Sequence, residues 1–465
     1  MSTQHELDRA YGFIPNHVLK RGYASRLTYA LQPSPTVVFS QHLPALDDPY
    51  ERIPAHISGV NALTIDKFEG RYLLSGGADS SIAVWDLEAQ TAATEAGDTY
   101  LPLTAVNKTS EEHKLGITQI QFYPFDSLAF LTSSYDHTVK LYSSETLAPS
   151  ASFNLDSVVY NLSLSPIASH LLVACATQHP NVRLVDLRSG ATTHSLAGHS
   201  GAILSTAWSP VREHILVSGA TDGSIRFWDV RRSVGELGVL DLEDSVGVLG
   251  KSTSFTRKST NAQAHKDAVN GLVWTDDGKH IVSCGHDARV RVWDTDTGAN
   301  TLANFGPMVK NSGLAPRIPV LAPVQNLQPG ADLMFYPNEH EILTYELFDG
   351  KLIRRLRRSQ QPRTNTLSNA SGAAAAAAAA KGQRNVKDRI TSLAWRPHHV
   401  EMYSAHADGS IATWKPRTEE DAELDDEEEL EREEKEIDKK RKRGVLDEIY
   451  QGLTKKQITF GNMGL

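Results

Sequence analysis

Cysteine is nearly absent from this 465-residue chain: only Cys175 and Cys284 occur, each inside a strand-like apolar run. Two thiols so placed speak against a disulfide framework and fit a reducing compartment. No apolar run approaches the roughly 20 residues that a helical membrane span needs. The opening residues, Met-Ser-Thr-Gln-His-Glu-Leu-Asp, lack the basic-then-apolar pattern of a secretory leader. A soluble, intracellular protein with no membrane partner is expected. Enzyme signatures are missing too: there is no Gly-rich phosphate loop, no nucleophile elbow and no His-Glu-x-x-His. No catalytic residue, metal site or cofactor site is therefore nominated.

What the chain does contain is a register. Five aspartates are each followed six residues later by an aromatic: Asp79/Trp85, Asp136/Tyr142, Asp222/Trp228, Asp287/Trp293 and Asp408/Trp414. Ser75, Thr132, Ser218, Ser283 and Ser404 stand ten residues before those aromatics. His56, His113, His199 and His265 stand 28 or 29 residues before the first four. Four residue types recurring in fixed order mark a repeat architecture.

Each copy reads as short strands joined by tight turns. Residues 202–208, 214–219 and 224–228 are runs rich in β-branched, aromatic and small apolar residues. Ser209-Pro210 and Thr221-Asp222-Gly223 separate them. One such antiparallel sheet cannot bury both of its faces. Radial stacking of copies buries them and leaves only short edges, which is a β-propeller. The aromatic ends fall at 85, 142, a degenerate 185, 228, 293 and 414, with spacings of 57, 43, 43, 65 and 121 residues. Against a repeat of about 40–45 residues, the last spacing hides one further copy. The count is seven: residues 56–88, 113–143, 152–188, 196–230, 262–295, 317–355 and 387–416. Strand-like stretches at Ala331–Tyr336 and Glu341–Leu347 represent the hidden sixth.

Three regions stand outside the repeats. Residues 1–35 show helical spacing at Val18, Leu19, Tyr23, Leu27, Ala30 and Leu31, broken by Pro33 and Pro35 and weakened by Gly22. This segment is either a helix packed back on the propeller or a docking helix for a partner groove. Thr36–Phe39 is expected as the strand that closes the ring with the last copy. Within the propeller, residues 36–416, insertions fall at about 232–263 and 356–386, the second containing Ala373–Ala380.

The tail, 417–465, concentrates the charge. Glu419–Asp438 holds fourteen acidic residues against Arg432 and Lys435, and Lys439, Lys440, Arg441, Lys442 and Arg443 follow. Such blocks are usually solvated. The basic run has the form of a nuclear localisation signal. The chain's net charge of −9 is thus mostly the tail's, and a nearly neutral propeller gives no case for direct, sequence-specific nucleic-acid binding.

The register resembles that of WD-repeat propellers. In that family the histidine, serine or threonine, turn aspartate and aromatic form a hydrogen-bonded tetrad across each blade. The resemblance thus implies structural tetrads at His56/Ser75/Asp79/Trp85, His113/Thr132/Asp136/Tyr142, His199/Ser218/Asp222/Trp228 and His265/Ser283/Asp287/Trp293, with Ser404/Asp408/Trp414 lacking the histidine. Their polar residues are then architecture, because buried polar groups need partners.

Trp228-Asp229-Val230-Arg231 is similar to the box by which WD-repeat receptors dock on the large adaptor subunit of cullin-4 ubiquitin ligases. Val185-Asp186-Leu187-Arg188 is a second copy without the tryptophan. Arginines in neighbouring repeats offer planar, multi-donor groups to acceptors on a partner. Over residues 50–416 the chain resembles the Cockayne syndrome group A family. The residues that carry this are 60–66, 69–77, 228–232, 264–265 and 269–272, and above all Gly298–Gly306 (Gly-Ala-Asn-Thr-Leu-Ala-Asn-Phe-Gly), where the repeat imposes no sequence. The alanine-rich insertion and the tail lie outside the resemblance.

The family resemblance implies a non-catalytic nuclear substrate receptor acting in transcription-coupled nucleotide excision repair. Arg231, Asp229, Trp228 and Arg188, with Leu19 and Leu27 of the leading helix, would bind the adaptor, the damaged-DNA-binding protein large subunit. The opposite face would hold RNA polymerase II complexes or the repair ATPase of the Cockayne syndrome group B family. The alternative is a WD-repeat scaffold of a nuclear chromatin or RNA-processing complex.

Overall fold

Runs of five or six β-branched and aromatic residues, each ended by a Pro-, Asp- or Gly-containing turn, produce short strands in sets of four. In the fourth blade these are Ile203–Trp208, Ile215–Ala220, Ile225–Asp229 and Glu236–Leu240, paired antiparallel in that order. The structure, a computed structural model, describes residues 15–416 except 35–36, 41–53, 90, 95–96, 107–111, 168, 191, 233–235, 243–261, 329 and 359–388. Lys439–Arg443 and Ala373–Ala380 lie outside the described residues.

Seven blades form an all-β propeller. Their innermost strands are Val60–Ile65, Ile117–Phe122, Val159–Leu164, Ile203–Trp208, Val269–Trp274, Val320–Leu321 and Ile390–Trp395. The degenerate sixth blade is real, with Leu333–Pro337 and Glu341–Glu346 as its middle strands. The insertion expected at 232–263 proves shorter, because Glu236–Leu240 is the outermost strand of blade four.

Strand alternation gives the propeller two distinct faces. Turns from first to second strand and from third to fourth strand lie on one face, here the turn face. Turns from second to third strand and the connections between blades lie on the other, the connection face. On the connection face, the residue after each turn aspartate is left-handed: Ser80 (φ 75°), His137 (φ 71°), Gly223 (φ 76°), Ala288 (φ 56°) and Gly409 (φ 89°). Glycine adopts this without cost, whereas the other three oppose a Cβ penalty of about 1–2 kcal/mol. Aspartate persists because its carboxylate caps the turn, accepting the backbone N–H two residues on, as Asp222 does from Ser224 at 2.9 Å.

The core lies between blades. Leu131, Val139 and Phe153 of blade two pack with Leu162, Val173 and Val185 of blade three, and the pattern repeats around the ring. Inner-strand side chains add stitches from blade to blade. Asn61 Nδ2 donates to the Ile117 carbonyl (2.8 Å), Thr118 Oγ1 to Val159 (2.8 Å) and Thr391 Oγ1 to Val60 (2.5 Å). The connection from blade five to blade six dips into the central channel, where Asn270 Nδ2 donates to the Gly313 and Ala315 carbonyls. Gly271 permits this approach, since a Cβ there would collide with the Arg317 carbonyl. Ile318 then lines both an inner cavity of about 120 Å³ and one of about 380 Å³ that reaches the turn face.

Ring closure differs from the sequence expectation. The fourth strand of blade seven is Leu31–Pro33, not Thr36–Phe39; it pairs with Ile411–Pro416 in the register Leu31↔Pro416, Gln32↔Lys415 and Pro33↔Trp414. Val37–Phe39 instead runs parallel to Gly97–Tyr100 in a small side sheet. The reason is packing: Phe39 is buried against Trp85 of blade one, Tyr403 of blade seven and Tyr100, sealing the seam outside the closing strand. The segment before Pro33 is thus both helix and closing strand.

Candidate docking surface

The repeated polar residues come together inside the blades. In blade four, Trp228 Nε1–H donates to Ser218 Oγ (2.7 Å), and His199 Nε2 lies 2.7 Å from the same oxygen. His199 Nδ1 meets Ser224 Oγ at 2.8 Å, and Ser224 donates to Asp222 at 2.6 Å. Blade one repeats this with His56, Ser75, Trp85, Ser81 and Asp79. In blade five, His265 Nδ1 contacts Asp287 directly (3.0 Å) and Nε2 contacts Ser283 (2.7 Å), to which Trp293 donates. In blades one and four the histidine reaches its aspartate mainly through a serine hydroxyl, a link the spacing alone does not contain.

Burial drives the His56 imidazole down to about 4, and His199 and His265 also fall below the ordinary range. The rings are therefore neutral hydrogen-bond partners near pH 7. Burial pushes the Asp79, Asp136, Asp222 and Asp287 carboxyls up, but their hydrogen bonds outweigh it and hold all four below the usual range.

Two copies depart from the expected tetrad. In blade two, His113 bridges Thr132 (2.7 Å) and Asp136 (2.9 Å), yet the buried Tyr142 hydroxyl has no partner. Tyr142 is held there by stacking on Phe130, 5.2 Å between ring centres. In blade seven, Trp414 donates to Ser404 (2.9 Å), and His406 on the same strand, 3.0 Å from Ser404, takes the histidine's place. Asp408 caps its turn through Ser410 (2.5 Å).

With these groups internal, surface chemistry resides on the two faces. Arg231 and Arg188 occupy equivalent turns of blades four and three, both on the turn face. Arg231 is 63% exposed although Asp229 grips it twice, Nε–Oδ1 at 3.0 Å and Nη2–Oδ2 at 2.9 Å. That grip fixes the guanidinium plane while leaving donors free for a partner. Arg188 is exposed and has no ion pair among the described residues, while Asp186 accepts its backbone N–H (3.0 Å). Trp228 and Asp229 are both buried, at 1% and 2% exposure; Asp229 holds Arg231, while Trp228 packs at the boundary between blades three and four.

The leading helix, Asn16–Tyr29, begins after Pro15 and continues through Gly22. Arg21 anchors it to the sixth blade, donating to the carbonyls of Val324 (2.9 Å) and Leu327. Because it precedes the fourth strand of blade seven, it lies on the turn face, as Arg188 and Arg231 do. Leu19 and Leu27 are half-buried, while Val18 and Tyr23 are its exposed apolar side chains.

Sequence reading missed a further component. Phe68, Phe125, Leu128, Ile167, Val211 and Val324 all stand exposed in first-to-second-strand turns, and so on the turn face. The available signal was an apolar residue in a turn where solvation favours polar ones. Singly such residues are ordinary; repeated on one face in five blades, they make an apolar rim on the axis side of the arginines. Among the described residues no three His, Cys, Asp or Glu side chains could hold a metal ion.

The family profile described as WD domain, G-beta repeat, matches residues 48–86, 105–143, 190–229 and 257–294. The chain carries WD40 repeats. It is similar to the WD repeat-containing protein ATCSA-1 of Arabidopsis thaliana, 28% identical over 88% of this chain and 94% of that protein. It is also similar to radiation-sensitive protein 28 of Saccharomyces cerevisiae, 26% identical over 39% of this chain and 38% of that one. A third likeness is to the ribosome biogenesis protein ytm1 of Aspergillus niger, 28% identical over 52% of this chain and 54% of that protein. The first match thus spans nearly a whole relative, whereas the ytm1 match spans about half.

Proposed function

We propose that this WD40-repeat protein is a non-catalytic substrate receptor of a cullin-4-type ubiquitin ligase, of the Cockayne syndrome group A kind, acting in transcription-coupled nucleotide excision repair. The observation that carries the reading is Arg231: exposed, held by a buried aspartate, and on the same face as Arg188 and the leading helix. The likeness to ATCSA-1 across 88% of the chain supports it, as does the likeness to a radiation-sensitivity protein. The turn face docks on the ligase adaptor. The connection face holds a stalled RNA polymerase II complex or its repair ATPase. Tethering then raises the local concentration of a target lysine near the charged conjugating enzyme. Lys439–Arg443 serves nuclear entry.

The likeness to ytm1 favours a second reading, a scaffold of a nuclear assembly pathway. Copurification separates the two. Full-length tagged protein is expected to recover the adaptor and cullin-4. Replacing Arg188 and Arg231 by alanine and removing residues 1–28 is expected to cut that recovery at least tenfold, since each lost charge-assisted contact costs about 1.5–3 kcal/mol. Undiminished adaptor recovery would refute the docking assignment, and ribosome-assembly factors in place of cullin would support the second reading.

A further inference from the structure

Phe227 of blade four pairs with a residue that has no side chain. In other blades, the residue before the aromatic position faces a side chain on the outermost strand. Val84 faces Thr104, Leu141 faces Ala151, Leu184 faces His194 and Thr344 faces Arg354. Phe227 faces Gly238. Directly opposed residues of an antiparallel pair project to the same side of the sheet. The glycine therefore leaves space at the seam between blades four and five.

That space is a cavity of about 210 Å³ with Phe227 as its buried floor. Its accessible walls are Ile215, Leu237 and Trp274, each partly exposed. Trp274 meets Phe227 edge-on, with ring centres 6.1 Å apart at 88°. Its indole N–H donates to the Ala207 carbonyl (3.2 Å), which fixes the ring as a wall. Arg212 and Gly278 border the cavity from first-to-second-strand turns, and Arg232 from a third-to-fourth-strand turn. The cavity thus opens on the turn face.

The rim is charged, and most of its charges are matched. Arg212 pairs with Asp296 across the seam (3.1 Å), and Glu236 with Arg226 (2.9 Å). Glu213, in the same turn as Arg212, faces His214 (3.0 Å) and Ser169 (3.3 Å). Arg232 differs. It stands 3.5 Å from Asp229, whose carboxylate already accepts Nε and Nη2 of Arg231. Two guanidiniums, 63% and 64% exposed, share one carboxylate, which leaves one positive charge for a partner. The shared Asp229 also joins the pocket to Arg231.

We propose that this pocket is the anchor of the turn-face interface: a partner loop inserts one large apolar side chain between Trp274 and Leu237 and sets an acidic residue beside it on Arg232. The occupant is the ligase adaptor, so the assignment rests on the function proposed above and adds the chemistry of the contact. Binding energy at interfaces concentrates where a side chain fills a desolvated pocket. The charge-assisted pair with Arg232 fixes its orientation. Arg188 and Arg231 alone would hold any acidic surface; the pocket selects one with an apolar residue at its centre.

The test is binding of the purified adaptor to the full-length protein. Gly238→Met, which fills the pocket from within, is expected to weaken binding at least about 30-fold, equivalent to about 2 kcal/mol. Gly238 lies within its strand and outside the left-handed region, so the melting temperature is expected to hold. Arg232→Glu is expected to weaken binding about tenfold. Occupancy is read separately at Leu237→Cys, because the two native thiols, Cys175 and Cys284, are fully buried. Saturating adaptor is expected to suppress alkylation of the Leu237→Cys thiol. Should Gly238→Met lower the melting temperature, that thiol decides. Equal adaptor binding by wild-type and Gly238→Met proteins, or a Leu237→Cys thiol as reactive in the complex as alone, would overturn the anchor and leave the ligase reading standing. Unchanged binding by Arg232→Glu would overturn the acidic pairing. If folded wild-type protein does not bind the adaptor, the ligase reading and the occupant fall together.

Discussion

Removal of residues 1–35 is expected to open the ring, whereas removal of residues 1–28 is expected to leave a folded propeller. The shorter deletion takes away most of the helix, whose contacts are with the rim of blade six. The longer one also takes Leu31–Pro33, the fourth strand of blade seven. Leu31 is 1% exposed and packs with Leu333, Phe335, Leu356 and Trp414 across blades six and seven. Burying one leucine is worth roughly 2–3 kcal/mol, and each rung about 1 kcal/mol. The loss of about 5 kcal/mol matches the smaller stabilities found for whole domains. Thermal unfolding and limited proteolysis of the two truncated proteins check this. Equal melting temperatures for both deletions would show that Leu31–Pro33 does not lock the ring. The same pair of constraints governs any test of helix docking, which must spare the closing strand.

The second large effect is Trp228→Ala. Trp228 fills the boundary between blades three and four against Ala174, Leu184, Leu196 and Leu216, and its indole N–H supports Ser218. Truncation removes a large buried ring, costing about 3–5 kcal/mol, and leaves Ser218 with one partner fewer. Tyr142→Phe is the control with the opposite expectation. It removes a buried hydroxyl that has no partner while keeping the ring stacked on Phe130, so stability is expected to hold or rise by up to about 1 kcal/mol. Chemical denaturation of both variants distinguishes them. Similar losses for both would mean that Tyr142 completes its tetrad through its hydroxyl, contrary to the geometry.

The sequence carried the architecture because its architecture is written in repeats. The spacing from Asp to aromatic located five blades, and the spacing between aromatics located the other two. Periodicity could not specify which segment closes the ring. Leu31–Pro33 contains two residues that read as strand breakers or neutral, and only its position opposite Ile411–Pro416 makes it a strand. Proline is tolerated there because the outermost strand has a free edge. Nor could spacing reveal His406, which arrives at Ser404 from the strand itself instead of from the preceding connection. At the candidate surface, Arg231 was legible from its neighbours, and the tetrad spacing placed Trp228 inside the blade, but the burial of Asp229 was not legible. The apolar rim was missed because its residues belong to turns distant in sequence, and only the closed ring places them on one face.

That blade five has three strands among the described residues was equally invisible. Gly298–Gly306 is recognisable as distinctive, yet the reason is conformational: Leu302 in the left-handed region and two asparagine-capped turns where six other blades continue as strand. Local chemistry overrode the repeat there.

The account rests on the turn face being the docking surface while the repeated polar residues remain interior. Hydroxyl-radical footprinting of the full-length protein, free and bound to the purified adaptor alone, measures this directly. Phe68, Phe125, Leu128 and Val211 on the turn face are expected to lose labelling on binding the adaptor, while Ile57, Leu115 and Leu314 on the connection face keep it. Unchanged labelling of the four turn-face residues, with protection confined to the connection face, would contradict the account.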